Sequence, residues 1–234
     1  MMTPTGCVET NGMVRFDLGD PRIIAASCGR GYPNEAHPSF VRALGLTPEC
    51  LRTVRQEHTA DVVTVDLSDA GWAPLPVADA LATAAAGLPL GIYTADCVPV
   101  FIFDPVSKAV GLAHAGWKGL WKGVLENLVL AMVRNFGSHA ENLRIAVGPC
   151  IRSCCYEVGE EFRKFFPDFY GIPDGKARAH VDLVAAAFRR LTDSGVPADS
   201  ILDSGICTSC RNASFYSARC GDGPNRILSV LCRV

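Results

Sequence analysis

Two apolar runs set the frame of the chain. Val98–Phe103 is an uninterrupted stretch rich in β-branched and aromatic residues, and Ala109–Ala113 is a second. Between them stands Asp104-Pro105-Val106-Ser107, with aspartate at the first turn position and proline at the second, where its fixed φ fits. The pattern predicts a β-hairpin. A turn centred between Pro105 and Val106 sets Cys97 opposite His114 at the open end, on one face, within contact distance. A loop one residue longer would put the two on opposite faces. After Ala115-Gly116-Trp117-Lys118-Gly119, the spacing of Leu120, Val124, Leu128, Ala131 and Met132 predicts a helix. Gly116 takes the N-cap position, so the positive end of the helix would lie beside His114 and favour an anion there. Gly119 and Gly123 fall on one face, which suits close packing on another backbone.

The flanking sequence repeats this alternation of short apolar runs and turn residues. Met13–Ala26 reads as two strands around Gly19-Asp20-Pro21, and Pro38–Leu46 as a short helix ending at Gly45. Leu51–Val65 holds two strand-like pieces with His58 at the break, where a side chain can point into a cleft. Gly87-Leu88-Pro89-Leu90 feeds the central strand. Asn142–Ile151 is a further buried strand, and Glu160–Phe166 a helix. Asp182–Ser194 is a strong helix, capped by Asp182 and ended at Gly195. Ile201–Ile206 and Ile227–Leu231 are strands. Strands outnumber helices and the helices are interspersed, so the fold class is α+β with mixed sheets. No repeat, low-complexity segment or linker interrupts the 234 residues, which are expected to form a single domain, 1–234.

Composition narrows the function classes. Hydrophobic residues at 49% and charged residues at 20% are ordinary globular values. A net charge of −2 gives no electrostatic footprint for nucleic acid and no polybasic membrane patch. Residues 1–6 lack a basic region followed by an apolar one, so no signal peptide is expected, and no apolar run is long enough to span a bilayer. Eleven cysteines, an odd number without an export signal, point to a reducing, cytoplasmic location and mostly free thiols.

Candidate chemistry centres on metal ligands. A catalytic zinc needs three protein ligands and one open position, and Cys97, His114 and His58 supply a Cys-His-His set. His37, His139 and His180 lie in polar, loop-like settings. A blue-copper centre also takes two His and one Cys with a weak axial Met, but Met1, Met2, Met13 and Met132 are remote in sequence. Five histidines are too few for several copper centres. Cys207-x-x-Cys210 is a lone pair; a four-cysteine site needs a second one, and Cys154-Cys155 beside Cys150 has unsuitable spacing, so reduced structural cysteines are expected. The loop Ser27–Asn34 sets Arg30 among glycines, a cation that phosphate could use. Asp96 and Glu157 are candidate acid or base groups. A metal-free hydrolase with Cys97 as nucleophile and His114 as base is the competing chemistry.

Six motifs in order carry a resemblance: Ala78-Asp79-Ala80-Leu81-x-Thr83, Thr94-Ala95-Asp96-Cys97-Val98-Pro99, Ala113-His114-Ala115-Gly116-Trp117, Gly148-Pro149-Cys150-Ile151, Cys155-Tyr156-Glu157-Val158-Gly159 and Phe215-Tyr216-Ser217-x-Arg219. From about Arg55 to the C-terminus the chain resembles the laccase-domain family, also called YfiH or polyphenol-oxidase-like. The resemblance implies a layered α/β/β domain similar to the catalytic domain of cytotoxic necrotizing factor. It implies zinc-dependent phosphorolysis of adenosine, inosine, guanosine and methylthioadenosine, with deamination of adenosine. Copper-dependent polyphenol oxidation, the family's first description, is the alternative. The family's metal ligands fall on His58, Cys97 and His114, and its N-terminal arginine on Arg30, with Gly116, Glu157 and Arg219 as further candidates for substrate or phosphate contact. Ser27-Cys28-Gly29-Arg30-Gly31 stands where Ser-Thr-Arg-x-Gly-Gly is usual, and Asn225-Arg226 where Gly-Arg is usual. The expected partners are a nucleoside and phosphate, with no nucleic acid or membrane, in a monomer or weak homo-oligomer. Activated water, its pKa lowered to ~7 on zinc, is the chemistry that attack at C6 of adenine requires.

Overall fold

The computed structural model describes residues 6–68, 74–172 and 177–234. The chain opens with an antiparallel meander of β1 (Cys7–Thr10), β2 (Met13–Phe16) and β3 (Ile23–Cys28). The link between β1 and β2 is Asn11-Gly12, both with left-handed backbone (φ 51° and 72°). That is the two-residue turn whose twist matches the flanking strands, and Asn-Gly is its strongest sequence signal. The meander pairs with β13 (Ile227–Arg233), which pairs with β6 (Leu90–Thr94), giving an antiparallel sheet ordered β1-β2-β3-β13-β6.

The second sheet has six strands, β12 (Ile201–Asp203), β9 (Arg144–Val147), β7 (Val98–Phe103), β8 (Val110–Ala115), β5 (Ala80–Thr83) and β4 (Val62–Thr64), in that spatial order. Its β12–β9 and β4–β5 pairs are parallel and the rest antiparallel, so the sheet is mixed. A small ribbon, β10 (Tyr170–Gly171) with β11 (His180–Val181), stands apart.

Strand alternation explains the layering. On one face of the six-stranded sheet, Val98, Val100, Ile102, Ala113 and Ala115 pack under Leu120, Val124, Leu125, Leu128 and Leu183 from the helices. On the other, Phe101, Phe103, Val110 and Leu112 pack against Phe16, Leu90, Ile92 and Leu228 of the five-stranded sheet. The Phe16 and Phe101 rings lie 5.0 Å apart. Because both faces of β7 are covered, its sequence is continuously apolar rather than alternating. The order of layers is therefore helices, mixed sheet, antiparallel sheet: the α/β/β arrangement expected.

The hairpin is real and its register differs from the expected one by an even step. Val98 faces Ala115 and Pro99 faces His114, so the turn is centred between Val106 and Ser107. Asp104 fixes it by accepting hydrogen bonds from the Val106 N–H (2.8 Å) and the Ser107 hydroxyl (2.8 Å), and Lys108 takes the left-handed position (φ 63°). Two extra loop residues preserve parity, so Cys97 and His114 share the face toward the antiparallel sheet, as diagonal rather than direct neighbours.

Elsewhere the single helix expected after Gly116 is two: α2 (Trp117–Lys122) and α3 (Val124–Phe136), split where Gly123 turns left-handed at φ 92°. Before them lies α1 (His37–Ala43) and after them α4 (Leu183–Asp193), whose cap is Asp182 accepting from the Ala185 N–H at 2.9 Å. Glu160–Lys164 is a 3-10 turn rather than an α-helix. Of the two strand-like pieces expected in Leu51–Val65 only Val62–Thr64 is a strand. The stretch before it runs as extended loop, and the Gln56 side chain replaces a ladder by bonding both the N–H (2.8 Å) and the carbonyl (2.7 Å) of Tyr93. No helix among the described residues is long and apolar enough to cross a membrane. The expectation about an N-terminal leader rests mostly on residues 1–5, which lie outside the described residues, as do Met1 and Met2.

Candidate metal centre and cleft

Three groups converge at the open end of the hairpin. Cys97 Sγ lies 3.7 Å from His58 Nε2. The His58 and His114 rings sit 4.8 Å apart, edge to face. One donor atom from each of His58, Cys97 and His114 falls within 4.8 Å of the other two. His114 belongs to β8 and is buried (4% exposed). Cys97 immediately precedes β7, and His58 stands on the extended loop before β4. The trio forms the floor of a cleft of about 490 Å³ between the ends of the two sheets, lined also by Val54, Gln56, Tyr93, Ala218 and Arg226. That volume suits a small-molecule ligand.

The organiser of the site is a residue to which sequence reading gave no role. Asp79, fully buried, accepts from His114 Nδ1 at 2.7 Å. With Nδ1 engaged, His114 presents Nε2 to the cleft, which is how a carboxylate commonly orients a metal-binding histidine. The other oxygen of Asp79 accepts from the N–H of Glu57 (3.2 Å), the N–H of Thr59 (2.6 Å) and the Thr59 hydroxyl (2.9 Å). One carboxylate thus fixes one imidazole directly and, through the residues on both sides, the backbone that carries the other. Burial pushes the Asp79 carboxyl up, but the hydrogen bonds from His114 and Thr59 and the His114 charge outweigh it and hold it down at about 2. The Ala78-Asp79-Ala80 motif was visible; nothing in it distinguished a ligand-orienting carboxylate from an ordinary strand-start aspartate.

Electrostatics within the trio follow from proximity. Burial pushes the Cys97 thiol up, yet the positive charge of His114 and hydrogen bonds from both imidazoles bring it well below the ordinary thiol range. Burial pushes His114 down, while the Cys97 thiolate and the Asp79 carboxylate carry it above the ordinary imidazole range. The thiolate is therefore the preferred state of Cys97, and a thiolate is what a metal or an electrophile meets.

Gly116 contributes space. A Cβ there would lie 2.6 Å from His58 Cδ2 and 3.0 Å from both His58 Nε2 and Cys97 Sγ. The helix it caps is only six residues long, and what the position visibly supplies is room for the His58 and Cys97 side chains. Gly119 does pack closely, its Cβ position 3.2 Å from the Thr59 carbonyl.

Asp96 sits next to Cys97 with a left-handed backbone, φ 88°. Its carboxylate accepts from the Thr208 hydroxyl (2.6 Å) and the Arg219 N–H (2.8 Å), and its carbonyl from the Ile151 N–H (2.9 Å). It anchors the turn that aims Cys97. The Arg219 guanidinium donates to the carbonyls of Cys155 (3.3 Å) and Glu157 (2.9 Å), beside the Tyr156 ring. Glu157 pairs with Arg178 at 2.9 Å and does not line the cleft. Arg30 is likewise turned to its own surroundings: it binds the Asn212 carbonyl and the Asp222 carboxylate and covers the Tyr216 ring. Among the described residues the arginine that lines the cleft is Arg226, whose guanidinium donates to the Gly223 (2.7 Å) and Asn225 (2.8 Å) carbonyls.

With this geometry in view, a family model described as multi-copper polyphenol oxidoreductase laccase matches residues 34–232. The chain belongs to that laccase-domain family. Among curated relatives, an adenosine deaminase, RL5, from an unknown prokaryotic organism is 33% identical over 198 residues, 79% of this chain and 75% of its own. A purine nucleoside phosphorylase, ORF3, from Streptomyces griseus is 44% identical over 122 residues, 52% of this chain and 49% of its own. The aligned stretch thus spans from about half to three-quarters of these relatives. The crystal structure of the hypothetical protein YfiH from Bacillus licheniformis superposes with a TM-score of 0.89 over 99% of this chain and 100% of that one at 23% identity, and shares the fold. Within the laccase-domain family frame, His58, Cys97 and His114 are a group that could hold one metal ion, with the cleft side left open.

Proposed function

We propose that the chain is a zinc-dependent purine nucleoside phosphorylase that also deaminates adenosine. The observation that carries the reading is the convergence of two imidazoles and one thiolate, oriented by Asp79, on the floor of a nucleoside-sized cleft. The names of RL5 and ORF3 support the reaction class.

The donor set fits zinc: three protein ligands with one side open. Bound there, zinc supplies a Lewis-acid centre that activates whatever occupies the open position. Copper fits less well. Among the described residues no methionine lines the cleft, and the remaining histidines are engaged elsewhere: His37 with the Arg226 carbonyl (3.1 Å), His180 with the Ser153 carbonyl (2.6 Å) and His139 beside Glu141. A multi-copper set has no second histidine-rich site among the described residues.

The chain's own residues divide the remaining work. Arg226 offers the cation that a phosphate at the cleft would need, and Tyr93 and Val54 offer apolar surface for a purine. Asp79 holds His114 Nδ1, which turns Nε2 toward the metal position, and metal binding there would displace the proton that Nε2 shares with Cys97. Asp96 acts on Cys97 through the backbone it fixes.

Purified protein incubated with adenosine or inosine and phosphate should yield ribose 1-phosphate and free base. Turnover that persists undiminished in Cys97→Ala protein would overturn the reading. A metal-free cysteine hydrolase is the second reading, favoured by the Cys97–His114–Asp79 chain of contacts. It is separated by chelation: activity unchanged after metal removal supports it, and activity lost then restored by zinc supports the phosphorylase.

A further inference from the structure

A second set of metal-competent side chains lies outside the cleft. The sequence offers Cys207-x-x-Cys210 as a pair without a partner, and the fold provides one: Cys154 and Cys155. Their sulfurs are mutually close, with Cys154–Cys155 at 3.8 Å, Cys154–Cys210 at 3.6 Å and Cys155–Cys210 at 3.3 Å. Cys207 completes the group, all four sulfurs lying within 4.8 Å of one another. All eleven cysteines are free thiols. A tetrahedral zinc with Zn–S bonds of ~2.3 Å has sulfur–sulfur edges of ~3.8 Å, so the cluster is already close to the size of that coordination shell. Edges this short leave room for one ion and not for a multi-iron cluster.

We propose that Cys154, Cys155, Cys207 and Cys210 form a closed, structural tetrathiolate zinc site. The spacing concealed it because the two pairs come from loops that meet only in the fold. The backbones of Cys150 and Cys207 pair in an isolated parallel β-bridge, with the Thr208 N–H donating to the Cys150 carbonyl at 2.9 Å. One loop turns back on itself through the N–H groups of Cys155 and Tyr156 donating to the Arg152 carbonyl, both at 2.8 Å. The other turns through the Arg211 N–H donating to the Cys207 carbonyl at 3.0 Å. Neither loop belongs to a sheet or helix at the cysteines, so a cation held by both cross-links two segments that backbone pairing leaves weakly joined. Four side-by-side thiols have no hydrogen-bond logic of their own, since a thiol is a weak donor and a weak acceptor. Four thiolates around one divalent cation do. Two thiols could instead join as a disulfide, which satisfies only a pair and requires a sulfur–sulfur distance of ~2.05 Å.

The site also bears on the cleft. Thr208, between the two ligands of the second pair, donates its hydroxyl to Asp96, and Arg219 holds both the Cys155 carbonyl and Asp96. Metal at the tetrathiolate therefore stiffens the loops that brace the residue before Cys97.

The test uses Cys97→Ala protein, which removes one ligand of the cleft site and keeps the outcome independent of the proposed activity. Prepared with zinc and reductant, it should retain one zinc per chain by elemental analysis. Cobalt exchange should give the thiolate-to-metal charge-transfer bands of a tetrahedral sulfur set. Adding Cys154→Ser and Cys210→Ser should abolish both signals and lower Tm. Should that triple variant fail to fold, stripping zinc from Cys97→Ala protein with a strong chelator should lower Tm reversibly. No zinc in Cys97→Ala protein, iron in its place, cobalt bands without thiolate character, or a Cys155–Cys210 disulfide in reductant-prepared protein would each overturn the proposal.

Discussion

Gly116→Ala separates the metal site from the fold. The backbone at Gly116 is extended (φ −71°, ψ 166°), a conformation alanine adopts freely, so no backbone strain is introduced. The added methyl would lie 2.6 Å from His58 Cδ2 and 3.0 Å from Cys97 Sγ. Carbon–carbon contacts rest at ~3.5–4.0 Å, so the His58 ring must retreat by about 1 Å. Metal–ligand distances tolerate only about 0.2 Å, and a ring moved that far no longer ligates. Losing an outer-shell partner costs about 10–100-fold in metal affinity; losing a ligand should cost at least the upper figure, about 2.8 kcal/mol at ~1.4 kcal/mol per tenfold. The assay is zinc competition against a chromogenic chelator, paired with Tm measured in excess chelator. The expected result is a cleft-site affinity at least ~100-fold weaker with the metal-free Tm nearly unchanged. Zinc at the four-cysteine group, none of whose sulfurs is among the nearest atoms to the added methyl, serves as an internal control. Wild-type affinity in Gly116→Ala protein would refute the argument that His58 ligates from its observed position.

Four further outcomes follow from the same geometry. Asp79→Asn removes the charge that orients His114, and zinc competition should show an affinity loss of about 10–100-fold. Arg226→Ala should raise KM for phosphate, whereas Arg30→Ala, which breaks the contacts to Asp222, Asn212 and Tyr216, should lower Tm and leave KM for phosphate unchanged. Phe101→Ala empties the space between the sheets and should cost about 3–5 kcal/mol in urea unfolding, with a smaller loss counting against the packing described. Cys97, lowered, and His114, raised, share one proton near neutral pH that bound zinc must expel. Apparent zinc affinity should therefore rise about tenfold per pH unit around neutrality, and a flat profile would contradict the pairing.

The periodic parts of the fold were legible. Val98–Phe103 and Val110–Ala115 are strands because their residues fill two faces, and the α4 limits follow from Asp182 and Gly195. The hairpin register was legible only to parity, since Asp104 and Lys108 hold a loop two residues longer than Asp-Pro suggests. Asn11-Gly12 carries the turn signal for the β1–β2 hairpin. Gly123 reads as an ordinary helix residue until its carbonyl-side turn is seen to be left-handed. The trio His58, Cys97 and His114 was legible as residue types, and the structure brings it together. Asp79 was not, because a buried carboxylate and an exposed one look alike in sequence. Nor was the pairing of Cys154-Cys155 with Cys207 and Cys210, which depends on the bridge at Cys150.

Where the sequence is silent, the structure shows strain doing the placement. Among the described residues, four non-glycine positions have left-handed backbone, and two of them are His58 (φ 56°) and Asp96 (φ 88°). Such conformations cost about 1–3 kcal/mol each and persist only where their surroundings over-determine them. At His58 the surroundings are the N–H groups of Glu57 and Thr59 drawn to Asp79. At Asp96 they are Thr208, Arg219 and Ile151. Of the three converging side chains only His114 is held by a regular ladder. The other two stand on segments bent out of the strand path and locked by buried carboxylates. The ladder therefore supplies a rigid reference, and two aspartates measure His58 and Cys97 against it. A substitution at either aspartate should move a ligand without unfolding a strand, which is the separation that distinguishes a built site from a chance cluster of histidine and cysteine.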